Sequence, residues 1–243
     1  MVNHTNTDSE SFLLGDIVIL IVRNARRKNL SIEISQQGVK ARAPMCMRLS
    51  SITHFVASKE AWIKKHLAAL PAPVPSLSLV SGAQLLLLGE PVELRVMQNQ
   101  SGSIVLDHDS VNLPIKKSHL DLEHSVKNKL IRWYKTTAQN ELEKRVLEFA
   151  IQMDVPANKR LNIRVRDYKR RWGSCDHKGE LSFNWRIIQA PSPVMDYVVI
   201  HELAHCHEFN HSKRFWRIVA SHMPDWKTHQ TWLNTHGAEL YRF

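Results

Sequence analysis

His201, Glu202 and His205 form the pattern His-Glu-x-x-His. On a helix, two His four residues apart lie on nearly the same face, one turn apart, so both imidazoles can reach a single metal ion. Glu202 is rotated by one position from His201. Its carboxylate therefore sits beside such an ion rather than on it, where it can take a proton from a water that the metal activates. Two ligands hold a metal weakly, so a third should lie nearby. His211 is one candidate, six residues past His205 and preceded by Asn210, which tolerates the left-handed turn that reverses a chain. Glu208 competes with it, returning to the ligand face three residues after His205. Cys206 and His207 turn away from that face. Three protein ligands and an open fourth position describe a catalytic zinc rather than a structural one.

The helix carrying this pattern starts after Pro191-Ser192-Pro193, and helices over 212–222 and 225–236 follow it. Before it, three short strands fit 162–166, 171–175 and 181–185. A long amphipathic helix over 118–153 is marked by Leu130, Tyr134, Ala138, Leu142, Val146 and Phe149, and Pro156 closes it. The first third reads as strands at 17–22, 30–35 and 39–43, then one helix from Ser50 or Ser51 to about residue 70. Pro71, Pro73 and Pro75 form a stiff linker. A hairpin over 84–97 turns at Gly89-Glu90-Pro91, and shorter strands fit 104–106 and 111–113. These elements predict an α+β fold, with a β-rich N-terminal domain over 1–115 and a second domain over 116–243. No internal repeat is visible.

The chain has 243 residues, 43% hydrophobic and 23% charged, with 8 Gly and 10 Pro, which excludes collagen-like, low-complexity and wholly disordered classes. A net charge of +10 favours an anionic partner or substrate. Of 14 His, seven fall in the last 43 residues. The N-terminus lacks the basic region of a signal peptide, and the apolar run over 12–22 is too short to span a bilayer. Cys46, Cys175 and Cys206 are odd in number and far apart, so they make no disulfide framework. A cytoplasmic protein without a membrane partner is the expectation.

Arg171-Trp172-Gly173-Ser174-Cys175, the run Leu181-Ser182-Phe183-Asn184-Trp185-Arg186, the segment from Asp196 to His205, then Asn210-His211-Ser212 and Phe215-Trp216 together resemble the YgjP-like metallopeptidase family, which is related to the SprT-like and WLM zincins. The resemblance extends to the N-terminal strands, to Trp62-Ile63-Lys64-Lys65-His66 and to the chain from about Asn128 onward. It implies a minimal zincin-like domain made of the long helix, the small three-stranded sheet, the His-Glu-x-x-His helix and the C-terminal helices. It implies that His201, His205 and His211 bind Zn2+ and that Glu202 is the catalytic base. The spacing from His201 to His211 is also that of the metzincins, but Glu208 stands where their turn glycine would be, and no Met-turn is evident. Phe209 stands where the YgjP-like family often has Pro.

In zincins an extended peptide adds a strand at a sheet edge, and 171–175 and 181–185 are the strands available for it. Arg171, Trp172, Gly173 and Asn184 are the candidate substrate-binding residues. Trp185 could line the cleft, and Tyr197, His222 and Asn184 are candidate oxyanion donors. Lys159, Arg160, Arg164, Arg166, Lys169, Arg170 and Arg171 place seven positive charges in thirteen residues, opposed only by Asp167. Such a run is either a solvated face or a site for an anionic substrate: an acidic peptide, a protein held on nucleic acid, or a nucleotide. A zinc metallohydrolase acting as a peptidase therefore has two rivals. One is a metal-dependent phosphohydrolase of nucleoside triphosphates such as pyrimidine nucleotides. The other is a nucleic-acid-associated module with a structural metal.

Overall fold

The computed structural model describes residues 10–35, 38–68, 75–116, 122–156, 158–159 and 161–243. Its contacts divide the chain into two compact units, Met1–Pro73 and Val74–Phe243. The linker prolines Pro71 and Pro73 lie outside the described residues.

In the first unit, strands β1 (Ser11–Leu14), β2 (Ile17–Asn24), β3 (Ser31–Ser35) and β4 (Gly38–Pro44) form one sheet in the order β1-β2-β4-β3. The apolar run over 12–22 is its first hairpin, turning at Gly15-Asp16. Alternation along β2 and β4 buries Ile19, Ile21, Val39, Ala41 and Ala43 on one face. Helices α1 (Leu49–Ala57) and α2 (Glu60–Ala68) add Ile52, Val56 and Ile63 to that core. Where one helix is expected, the chain breaks at Ser58-Lys59. The Ser58 hydroxyl donates to the Phe55 carbonyl 2.7 Å away, competing with the helical ladder.

The second unit opens with a sheet of the same kind. Strands β5 (Gln84–Leu87), β6 (Glu90–Gln98), β7 (Val105–Asp107) and β8 (Ser110–Ile115) run in the order β5-β6-β8-β7. Helix α3 (Leu122–Gln152) buries Val126, Leu130, Tyr134, Ala138, Leu142, Val146 and Ala150. A strict step of four residues drifts about 40° per step round a helix of 3.6 residues per turn. One helix thereby presents apolar side chains to several partners: β8, the strand Ile163–Arg166, the 3-10 turn Trp185–Gln189 and the helix Ser192–Ala204. The Tyr134 hydroxyl donates to the Leu86 carbonyl at 2.7 Å, tying α3 to β5.

The expected domain boundary after residue 115 is corrected by this packing. Ile115 and Val126 belong to one continuous apolar core that also contains Phe183, Ile200 and Phe215. The buried residues of the sheet over 84–115 share that core, and the contacts divide the chain at 73/74 instead.

Strands β9 (Ile163–Arg166), β10 (Gly173–Cys175) and β11 (Leu181–Asn184) form a three-stranded sheet in the order β10-β11-β9. Helices α4 (Ser192–Ala204), α5 (Lys213–His222) and α6 (Trp226–His236) complete the unit. The turn between β5 and β6 braces the entry to α4: Leu88 and Gly89 N–H donate to the carbonyls of Ile188 and Gln189 at 2.7 and 3.2 Å. At the other end of the chain, the Leu77 N–H donates to the Arg242 carbonyl at 2.9 Å. The Phe243 ring lies 5.8 Å from that of Tyr134 and 6.0 Å from that of Trp185. Among the described residues no helix is long and apolar enough to cross a membrane.

Candidate metal centre

Helix α4 is apolar almost all round, with Val194, Met195, Tyr197, Val198, Val199, Ile200, Leu203 and Ala204 buried, so it runs through the core rather than over it. It stops at His205. The N–H groups of His207 and Glu208 both return to the Ala204 carbonyl, and the chain turns toward His211. Ser212 then caps α5, its hydroxyl accepting from the N–H groups of Arg214 and Phe215 at 3.2 and 3.4 Å. This cap fixes His211 at the mouth of the turn.

One nitrogen from each of His201, His205 and His211 lies within 4.8 Å of the others. The Nε2 atoms of His201 and His211 are 3.1 Å apart. The His205 Nδ1–H donates to the Glu208 carbonyl at 3.2 Å, which leaves Nε2 with its lone pair free. Burial, then the neighbouring imidazoles, lowers the His201 pKa to about 3; burial also lowers that of His205. These rings are neutral donors at ordinary pH. One pair at 3.1 Å is close to the roughly 3.4 Å that separates two tetrahedral zinc ligands, and with all three nitrogens within 4.8 Å the set can close on a zinc ion. Of the two candidates for third donor, His211 joins the pair. Glu208 offers its backbone carbonyl to His205, and its carboxylate lies 3.9 Å from Arg214. Among the described residues no fourth His, Cys, Asp or Glu joins this group.

Phe215, fully buried, forms the floor of the triad. Its ring lies 4.9, 4.6 and 4.7 Å from those of His201, His205 and His211. Trp216 flanks it at 5.8 Å from both His201 and His211. The sequence offers Phe215 and Trp216 only as part of the family resemblance; spacing alone, three and four residues past the capping Ser212, does not reveal that they back the triad.

The Glu202 carboxylate is 6% exposed and rests against the backbone of Gly173. A Cβ at Gly173 would stand 2.6 Å from Glu202 Oε1, so only glycine leaves room for this side chain. Burial pushes the Glu202 pKa up to about 8, with Arg171 pulling the other way. A cavity of about 260 Å3 opens beside Glu202 and His201, lined by Arg171, Trp172 and Gly173 on one side, Tyr197 and Val198 on α4, and Gln230, Leu233 and Asn234 on α6.

The other candidates divide. Arg171, Trp172 and Gly173 reach the cavity; Asn184 does not. It is fully buried, and its side-chain amide donates to the carbonyls of Tyr168 and Arg171 and to the Tyr241 hydroxyl. Asn184 is thus a clamp on the segment that carries Arg171, not a group that meets a ligand. Trp185 is fully buried in the core. Tyr197 lines the cavity, its hydroxyl pushed up to about 12 by burial, whereas His222 does not line it. Strand β11 is paired on both sides, so it offers no free edge; β10 is the edge strand next to Glu202. Of the basic run, Arg160 lies outside the described residues, Arg164 pairs with Glu180 at 3.5 Å, and Lys159 donates to the His177 carbonyl at 2.9 Å. Cys175 and Cys206, 31 residues apart, bring their sulfurs to 3.8 Å.

Over residues 28–236 the chain matches the family described as YgjP-like, metallopeptidase domain. Two solved structures are similar to part of it. One is the metallopeptidase zymogen of Pyrococcus abyssi abylysin, at 23% identity and a TM-score of 0.36, covering 39% of this chain and 92% of that one. The other is the metallopeptidase zymogen of Methanocaldococcus jannaschii jannalysin, at 19% identity and a TM-score of 0.34, covering 39% and 94%. No curated protein matches the chain.

Proposed function

The chain belongs to the YgjP-like metallopeptidase family, and from that premise we propose that it is a zinc-dependent peptidase of zincin-like architecture in which His201, His205 and His211 hold the ion and Glu202 is the general base. The observation that carries the assignment is the convergence of three imidazoles beside one buried carboxylate. Bound zinc supplies Lewis acidity toward a scissile carbonyl and acidifies water.

The chain's own residues do the rest. Glu202 takes the proton of the attacking water and returns it to the leaving amine. The Glu202 carboxylate, its pKa raised by burial, would be pulled back down by a dication held at His201, His205 and His211. Gly173 keeps the carboxylate from being displaced by its own neighbouring strand. The outer edge of β10 receives an extended peptide through main-chain hydrogen bonds, and Trp172 forms part of the wall beside it. Phe215 and Trp216 exclude water from the buried side of the triad, which strengthens every charge interaction there.

The test uses zinc-loaded wild type beside Glu202→Gln, each incubated with a pool of unfolded proteins and nucleoside triphosphates, with products identified by mass spectrometry. Peptide fragments made by the wild type alone support the assignment. Fragments made equally by both proteins, or by neither, overturn it, and nucleoside mono- or diphosphates as the sole products would move the site to phosphoryl chemistry.

A further inference from the structure

The cavity beside Glu202 has room for any natural side chain at about 260 Å3, so charge rather than size must discriminate among occupants. Its lining holds two ionisable groups besides His201 and Tyr197: Glu202 at the α4 wall and Arg171 at the β10 wall. Glu202 is nearly closed off by Gly173. Arg171 is exposed, stacks its guanidinium over the Tyr168 ring at 4.7 Å, and forms no ion pair among the described residues. Asn184 holds the Arg171 carbonyl from below, and the Tyr241 hydroxyl holds that of Tyr168 at 2.9 Å, so the segment presenting the guanidinium is anchored. Gln230 and Asn234 add amides on the opposite wall, and Val198 and Leu233 an apolar floor.

We propose that this cavity is the subsite for a substrate residue adjoining the scissile bond, and that Arg171 makes it select an acidic side chain, Asp or Glu. The inference rests on the peptidase reading and names its substrate class. A methylene stem covers Val198 and Leu233 while the carboxylate meets the guanidinium and the amides. Arg171 offsets the repulsion that Glu202 would exert on a second carboxylate. A Lys or Arg side chain is disfavoured twice: it is repelled by Arg171, and on reaching Glu202 it would pair with the base.

The expected discrimination is about tenfold in kcat/KM for Glu over Gln at that position, the worth of one charge-assisted hydrogen bond reduced by solvent screening. Two independent measurements decide it. Cleavage sites in unfolded proteins, mapped by mass spectrometry, should be enriched in Asp and Glu at one position adjoining the cut. The enrichment should vanish in Arg171→Gln and turn toward Lys and Arg in Arg171→Glu, a gain that misfolding cannot imitate. Separately, calorimetry with metal-free Glu202→Gln should show a Glu-containing peptide binding more tightly than its Gln twin, with the difference gone when Arg171→Gln is added. Cleavage without acidic enrichment, together with equal binding of the twins, overturns the subsite and leaves the peptidase standing. Absence of cleavage with a difference in binding that depends on Arg171 overturns the peptidase and keeps the acid-selective cavity.

Discussion

The sheets β1-β2-β4-β3 and β5-β6-β8-β7 share one plan: an antiparallel hairpin, a parallel pair, then a second antiparallel pair. Their first hairpins both turn through two residues, Gly15-Asp16 and Leu88-Gly89. The surroundings differ. A Cβ on Gly15 would meet nothing within 4 Å, whereas one on Gly89 would stand 2.8 Å from the Pro191 Cα. The first sheet is closed by two short helices into a core of its own. The second is closed by α3, which also packs on β9 and α4. The topology is reused, and each sheet is closed by helices of its own unit. What ties a sheet to the reactive residues here is a turn pressed on the approach to α4 and a helix whose apolar stripe winds.

Substitutions within 74–243 that touch this chain of contacts should reach the site, and a matched glycine in the first unit serves as their control. The largest effect is expected from Gly173→Ala, whose methyl group needs the space of the Glu202 carboxylate. Peptidase kcat/KM should fall at least about 100-fold while zinc content, read by metal analysis, stays at one ion per chain. Gly15→Ala, its control in the other unit, should keep full activity.

Next comes a pH slope. In metal-free protein, burial raises Glu202 from its ordinary 4.5 to about 8. The folded state therefore binds more protons between those values. The stability Glu202 contributes is fully present below pH 4.5 and lost as pH rises through 8. Urea titrations in EDTA should show wild type losing more stability than Glu202→Gln across that window; parallel curves would mean that the carboxylate is hydrated.

Gly89→Ala should then cost about 3 kcal/mol in the transition of residues 74–243, from backbone collision plus a φ of +88°. Gly15→Ala, with φ +59° and open space, should cost about 1 kcal/mol. Equal losses would erase the distinction between the two turns. The smallest change is Tyr134→Phe, which leaves the Leu86 carbonyl without its donor and should cost about 1 kcal/mol by the same titration.

The sequence makes visible whatever is written in local spacing. The four-residue interval from His201 to His205, the apolar steps along α3 and the strands from Ile163 to Asn184 all follow from periodicity. Alternation also places Arg164 and Arg166 on an exposed face, where the structure has them. What escapes is contact between residues distant in sequence. Gly173 reads as a bulge or a close approach, and nothing local says that Glu202 is what approaches it. Asn184 looks like an available polar side chain until Tyr168, Arg171 and Tyr241 consume its amide. Cys175 and Cys206 look unrelated because the strand and the helix end that bring them together are set by the fold. The boundary at 73/74 escapes for the same reason: strands over 84–115 resemble those before them, and only the core they share with α3 assigns them to the second unit. The two sheets hide their common plan because a pleat asks only for alternation, which many residue pairs satisfy.

The bond between Leu77 and Arg242 sets a timetable for a chain made from its N-terminus. The sheet over 11–44 and the helices that close it share a core drawn from residues 12–67, all of them made once residue 68 has been added. The second unit waits. Until Arg242 and Phe243 exist, the Leu77 N–H lacks the acceptor it has in the fold, and Tyr134 and Trp185 lack the Phe243 ring that packs on them. Such long loops close slowly and late. A growing copy therefore completes the elements of the first unit well before the contacts of Leu77, Tyr134 and Trp185 with Arg242 and Phe243 can form.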